Sequence, residues 1–287
     1  MHRLPVHARL HPYFRLAVCG LATALMATPA FAAGDEKSKR DSKPPFNALI
    51  VRAMASMPTG GGYDPTPAAT ARLGTAIVMK PDGALDFLPA AAKPSYCSGA
   101  TYLVFLKAIQ TLCASKKISL PPGATESVLV RDDPGRPDRL PNEWGPRDGE
   151  GVWGRWNANG PGTARLFAEL GLGRNFEDFS KARTGDFMKI FWTPDIGRRE
   201  RGHSVIYLGQ FKRDGVDYVR FWSSNQNGGF GSKEVPRHDI ARAIFSRLEN
   251  PAALAKAPTL PPVDNYLANL QRVDSSIEEV RSKCAMP

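Results

Sequence analysis

A chain of 287 residues, 42% hydrophobic and 23% charged, can bury one substantial core, which predicts one domain with extensions or at most two domains. Its net charge of +10 falls to +7 once the first 32 residues, which hold three arginines and no acid, are set aside. That balance suits work near an anionic polymer, and the lack of a helix-turn-helix, zinc-finger or RNA-binding signature argues against nucleic acid as the partner.

In chain order, Arg3, Arg9 and Arg15 precede an apolar run from Leu16 to Met26, and "TPAFAA" offers an A-x-A site at Ala30 and Ala32. Residues 1–32 therefore read as a signal peptide cut near Ala32, which predicts a periplasmic or secreted protein. The run is too short for a membrane span, and no later segment reads as a transmembrane anchor. Residues 33–45, polar and charged, read as a disordered tether. "FNALIVRAMASM" (46–57) predicts a short helix that ends at "PTGGGYDPTP". That glycine run lacks the Lys-Ser/Thr of a phosphate-binding loop, so it is assigned no ligand. "TAIVMKPDGALDFLP" predicts a hairpin turning at Pro81, Asp82 and Gly83.

From Cys97 onward, Ala100, Leu103, Val104, Leu106, Ile109 and Leu112 make a helix apolar on nearly every face, which belongs inside a domain. Residues 121–162 read as a long irregular insertion, and "TARLFAELGLG" as a short helix. Three strands are predicted next, in "GDFMKIFW", "HSVIYLGQF" and "VDYVRFWSS", the last two joined by a hairpin at "KRDG". "RHDIARAIFSRL" is predicted helical. After a Pro-rich linker, Leu267, Leu270, Val273, Ile277 and Val280 predict one final amphipathic helix. The order is α+β, with a main domain over 46–250 and a linker and helix over 251–287.

Beyond the signal peptide the chain has two histidines, His203 and His238, so an imidazole base must be one of them. His203 starts a predicted strand beside a glycine turn and is favoured. His238 suits an exposed surface. No C-x-x-C, H-x-x-x-H or clustered Cys/His spacing exists for a metal, and "GHSVIYLG" lacks the second glycine of a nucleophile elbow. Paired carboxylates for glycoside hydrolysis have no positive support.

Cysteine chemistry fits better. Cys97, Cys113 and Cys284 remain after export, an odd number in an oxidising compartment. Cys97 stands where a helix begins, and free N–H groups there favour a thiolate. Cys113 lies sixteen residues along the same helix and cannot bridge to Cys97 while that helix is straight; a Cys113–Cys284 disulfide is a candidate pairing that would tie down the C-terminal helix and leave Cys97 free. A histidine can take the thiol proton, and Asn225 or Ser223 can orient that histidine from the next strand.

"YCSGATYLVF", "TGDFMKIFW", "GHSVIYLG" and a following strand with polar end residues together resemble the NlpC-type cell-wall cysteine peptidases and the related CHAP amidases. The resemblance covers roughly residues 90–230. It implies a papain-like fold, N-terminal helices packed on an antiparallel sheet, with Cys97 as nucleophile and His203 as base. It implies Asn225 as the orienting group, with Ser223 as the alternative. The implied substrate is peptidoglycan, or another peptide or amide. No metal or organic cofactor is needed. Tyr96 stands where many NlpC members carry an aspartate. Tyr96, Ser98, Trp153, Trp156, Asn157 and Arg201 are candidate substrate-binding residues, though the two tryptophans can equally pin a loop and the arginine can belong to a solvated one. Alternatives on the same fold are an inactive wall-binding module and a thiol acyltransferase. The oligomeric state is open.

Overall fold

The structure, a computed structural model, describes residues 46–131 and 149–287. The predicted signal peptide, the predicted tether and the middle of the predicted insertion lie outside the described residues, and the described residues all belong to one compact unit.

α1 (Asn47–Ala55) opens that unit. β1 (Gly60–Gly61), α2 (Pro67–Ala76) and the hairpin β2 (Ile77–Met79) and β3 (Leu85–Phe87) follow. The long helix is α3 (Cys97–Ala114). Short helices α4 (Pro122–Ser127) and α5 (Gly151–Asn157) stand at the two ends of the predicted insertion, before α6 (Gly162–Leu170). Then come β4 (Gly173–Phe176), β5 (Phe187–Phe191), β6 (His203–Arg213), β7 (Val216–Asn225), β8 (Gly229–Pro236) and β9 (Arg242–Leu248). The chain ends with α7 (Asn265–Asn269) and α8 (Ile277–Lys283).

Seven strands form one antiparallel sheet in the order β1-β8-β7-β6-β5-β9-β4. Side chains alternate across it, so Phe187, Ile206 and Trp222 join α3 in the main core. Met188, Val205, Tyr207 and Phe221 pack with Phe245 in a second cluster on the other face. Both faces are covered, which is why these strands read as nearly continuous apolar runs. The architecture is α+β, a large antiparallel sheet with helices. α3 is long and apolar enough to cross a membrane by length and composition, and its apolar residues are buried in this core.

Four sequence expectations are corrected. The helix predicted in "RHDIARAIFSRL" is a 3₁₀ turn followed by β9, which lies between β5 and β4. Ile240, Ile244 and Leu248 mimic a helical spacing, but both faces of β9 are buried, and cross-strand packing overrides local preference. The single final helix is broken into α7 and α8, since Ser275 N–H donates to the Ile196 carbonyl (2.8 Å) and Ser276 caps a new helix through Glu279 N–H (3.1 Å). Residues 251–259 are no linker, because Leu254 and Ala257 are buried in the main core. Cys113 and Cys284 are free thiols rather than a disulfide. Cys113 packs against the main core and Cys284 sits in a separate cluster with Phe191, Ile244 and Val280.

Candidate functional site

The N-terminus of α3 is fastened on several sides. Ser224 of β7 donates its hydroxyl to the Ser95 carbonyl (2.9 Å), which also accepts from Asp64 N–H (2.9 Å). Tyr96, the residue before the helix, reaches Thr70 of α2 through its hydroxyl (2.8 Å). Ser98 donates to Asn157 Oδ1 at the end of α5 (2.6 Å), and Trp156 Nε1 donates to Thr101 (3.1 Å). Cys97 is thus the first residue of a helix whose first turn cannot shift, and it is half-buried.

Around its sulfur stand four groups. The His203 imidazole, at the start of β6, hydrogen-bonds to the thiol, and the Ser204 backbone N–H does the same. Lys189 contributes positive charge from β5, and Tyr63 contributes a phenol hydroxyl. Burial pushes the Cys97 thiol up, but the His203 hydrogen bond and charge, the Lys189 charge and the Ser204 N–H together bring it down to about 6. The charge of Cys97 raises the Tyr63 phenol above the ordinary range, with burial adding to the effect, so Tyr63 stays a neutral donor.

Tyr63 is placed by the glycines the sequence reading left unassigned. β1 pairs with β8 at Gly60 with Phe230 and Gly61 with Gly229. A Cβ on Gly229 would run into the Gly60 carbonyl, and its φ of +76° is one that side chains avoid. The chain then bridges from Tyr63 to Ser95, and Asp64 is held by Arg72.

The structure brings Cys97 and His203 together. It does not bring the expected orienting group to the imidazole. Asn225 Nδ2 donates to the Ser223 carbonyl (3.3 Å) and the Gly231 carbonyl (2.9 Å), while its buried Oδ1 has no partner. Ser223 donates to the Ser204 carbonyl (2.7 Å). The His203 ring is instead bracketed by aromatics, stacked on Trp192 (6.3 Å between centroids) and edge-on to Phe221 (5.7 Å).

Trp153 and Trp156 are fully buried and line no groove, because α5 docks on α3 and their rings pack on Tyr102. Tyr96, Ser98 and Asn157 are buried in the supports just described, so they too present no surface to a substrate. Arg201 is half-buried and accepts the Gly160 N–H (3.0 Å) through its carbonyl. His238 is exposed beside Asp239. Sequence reading missed Tyr63, Lys189 and Trp192. Only Lys189 carried a signal, as the one charge within the otherwise apolar "FMKIF".

Taken together, the site holds an acidic thiol, an imidazole in hydrogen-bond contact with it, a neutral hydroxyl and the free N–H groups of a helix start. Such a set can form and break a thioester. No protein family, curated protein or solved structure matches this chain.

Proposed function

We propose that the mature chain is an exported thiol hydrolase of papain-like, NlpC/CHAP type that cleaves an amide bond in peptidoglycan stem peptides. The observation that carries this reading is the Cys97 thiol at the start of α3, hydrogen-bonded to His203 and acidified to about 6. The export signal and the basic charge favour the cell wall as the place of work.

In this mechanism the Cys97 thiolate attacks the amide carbonyl carbon and a C–S bond forms. The oxygen takes the electron pair and is met by the Tyr63 hydroxyl and the N–H groups of the first turn of α3. His203 passes its proton to the leaving nitrogen, the C–N bond breaks, and a thioester remains. Water then attacks while His203 takes its proton, and the C–S bond breaks to release a carboxylic acid and the thiolate.

A second reading, a wall-binding module that keeps the fold without turnover, is favoured by one observation. Among the described residues no polar side chain is hydrogen-bonded to His203 other than Cys97.

Peptidoglycan incubated with the mature protein should yield amide-cleaved muropeptides by mass spectrometry, and Cys97→Ala should yield none. Because the thiol lies below its ordinary value, thiolate is populated above about pH 6 and lost below it. Cleavage should therefore fall as pH drops through 6, by roughly tenfold per unit once below it. Retained binding without fragments from the wild type would leave the wall-binding module in place of the hydrolase.

A further inference from the structure

β5 runs Phe187–Phe191 with every residue buried, and its centre is Lys189, only 5% exposed. A lysine is among the side chains least often buried, because its ammonium gives up strong hydration. Its surroundings set where that charge goes. Lys189 pairs across the sheet with Ser204, the residue whose N–H faces the Cys97 sulfur. Its Nζ donates to the Ala158 carbonyl (3.3 Å), just past the end of α5, next to the Asn157 that holds Ser98. Its stem is clamped by the turn before His203, where a Cβ on Gly202 would lie 2.6 Å from Lys189 Cε. The ammonium is thus confined between the sheet and the start of α3.

We propose that Lys189 is a second fixed cation for the Cys97 sulfur, a positioning residue whose charge makes the thiolate independent of His203 alone. This rests on the reading of Cys97 as the nucleophile. Among the described residues, the charged and titratable groups acting on that sulfur are His203 from β6, Lys189 from β5 and Tyr63 from the segment after β1, and the first turn of α3 carries no acid. On the α5 side, Arg155 is engaged with Glu169, so it adds no competing charge. With two cations the thiol stays reactive in mildly acidic surroundings. The same charge makes sulfur a better leaving group when the thioester is hydrolysed.

The test is the pH profile of iodoacetamide alkylation at Cys97, read by peptide mapping so that Cys113 and Cys284 are counted apart. Lys189→Met should move the midpoint upward by about one unit, so that rates below pH 6 fall about tenfold, and Lys189→Arg should move it back. A merely structural role would not give charge-dependent rescue of the midpoint. An unchanged midpoint in folded Lys189→Met would overturn the proposal. Should that variant fail to fold, His203→Ala leaves Lys189 in place. Adding Lys189→Gln to it should raise the Cys97 midpoint further, and an unchanged midpoint would overturn the proposal. Muropeptide cleavage by the same proteins separates the two readings. A low midpoint that depends on Lys189, without any cleavage, supports the cation and removes the hydrolase. Cleavage with an unaltered midpoint in Lys189→Met does the reverse.

Discussion

At Cys97 two effects of one position oppose each other. Burial disfavours the thiolate, and the His203 imidazole, the Lys189 ammonium and the Ser204 N–H favour it and win. The other two thiols show what burial does without such company. Cys113 is raised by burial, and Cys284 is pushed up to about 12 by burial with only partial relief from Arg165. Three thiols of one chain are thus set apart by their neighbours, Cys97 lowered and Cys113 and Cys284 raised. Tyr63 belongs to the same balance, because the negative sulfur keeps its phenol protonated and able to donate. If that hydroxyl meets the developing oxyanion, Tyr63→Phe should lower kcat roughly 10²-fold with little change in KM. Steady-state cleavage of a stem peptide checks this, and an unchanged kcat would assign the oxyanion to the helix N–H groups alone.

At the scale of elements, α5 is the wedge that sets α3. Trp156 stacks on Phe105 (4.8 Å), meets Phe187 of β5 edge-on (5.1 Å) and ties to α3 through Thr101. One side chain therefore spans α5, α3 and the sheet. Removing it leaves a cavity no neighbour can fill, so Trp156→Ala should cost about 3–5 kcal/mol in urea unfolding. A loss under about 1 kcal/mol would mean that α5 is only loosely docked. The sequence reading saw both tryptophans but weighed a groove against a pinned loop. A seven-residue helix that buries Arg155 and Asn157 beside its tryptophans shows no apolar period by which a partner-facing side could be read.

Across the whole molecule, one buried ion pair joins distant parts. Arg247 of β9 holds Asp186 through two bonds (Nε to Oδ1, 2.8 Å; Nη2 to Oδ2, 2.7 Å), both side chains being essentially fully buried. Asp186 also accepts from Asn47 of α1 (2.9 Å) and from Arg183 N–H (2.7 Å). This network fastens the first helix to the sheet at the entrance of β5, the strand that carries Lys189. Asp186→Ala strands a buried guanidinium and should cost about 3–5 kcal/mol. Adding Arg247→Met should recover part of that, because an apolar pair of similar volume avoids the desolvation. Denaturant unfolding of both variants measures it, and equal losses would show that the ion pair itself contributes nothing distinctive.

What the sequence determined by itself is local. Alternation and chain order marked β5, β6 and β7, the apolar run after Cys97 marked α3, and the scarcity of histidine singled out His203. These were legible because period, propensity and residue count act within a few residues. What the tertiary structure alone decided is which of these meet. Nothing near Tyr63 or Lys189 in the chain points to Cys97, because the sheet order that brings β1, β5 and β6 around the start of α3 is a pairing of distant segments. The same holds for β9, whose sequence mimics a helix until two neighbouring strands claim its backbone. Asn225 fell in the expected strand, yet its amide found nearer carbonyls, a competition that offsets along one strand do not contain.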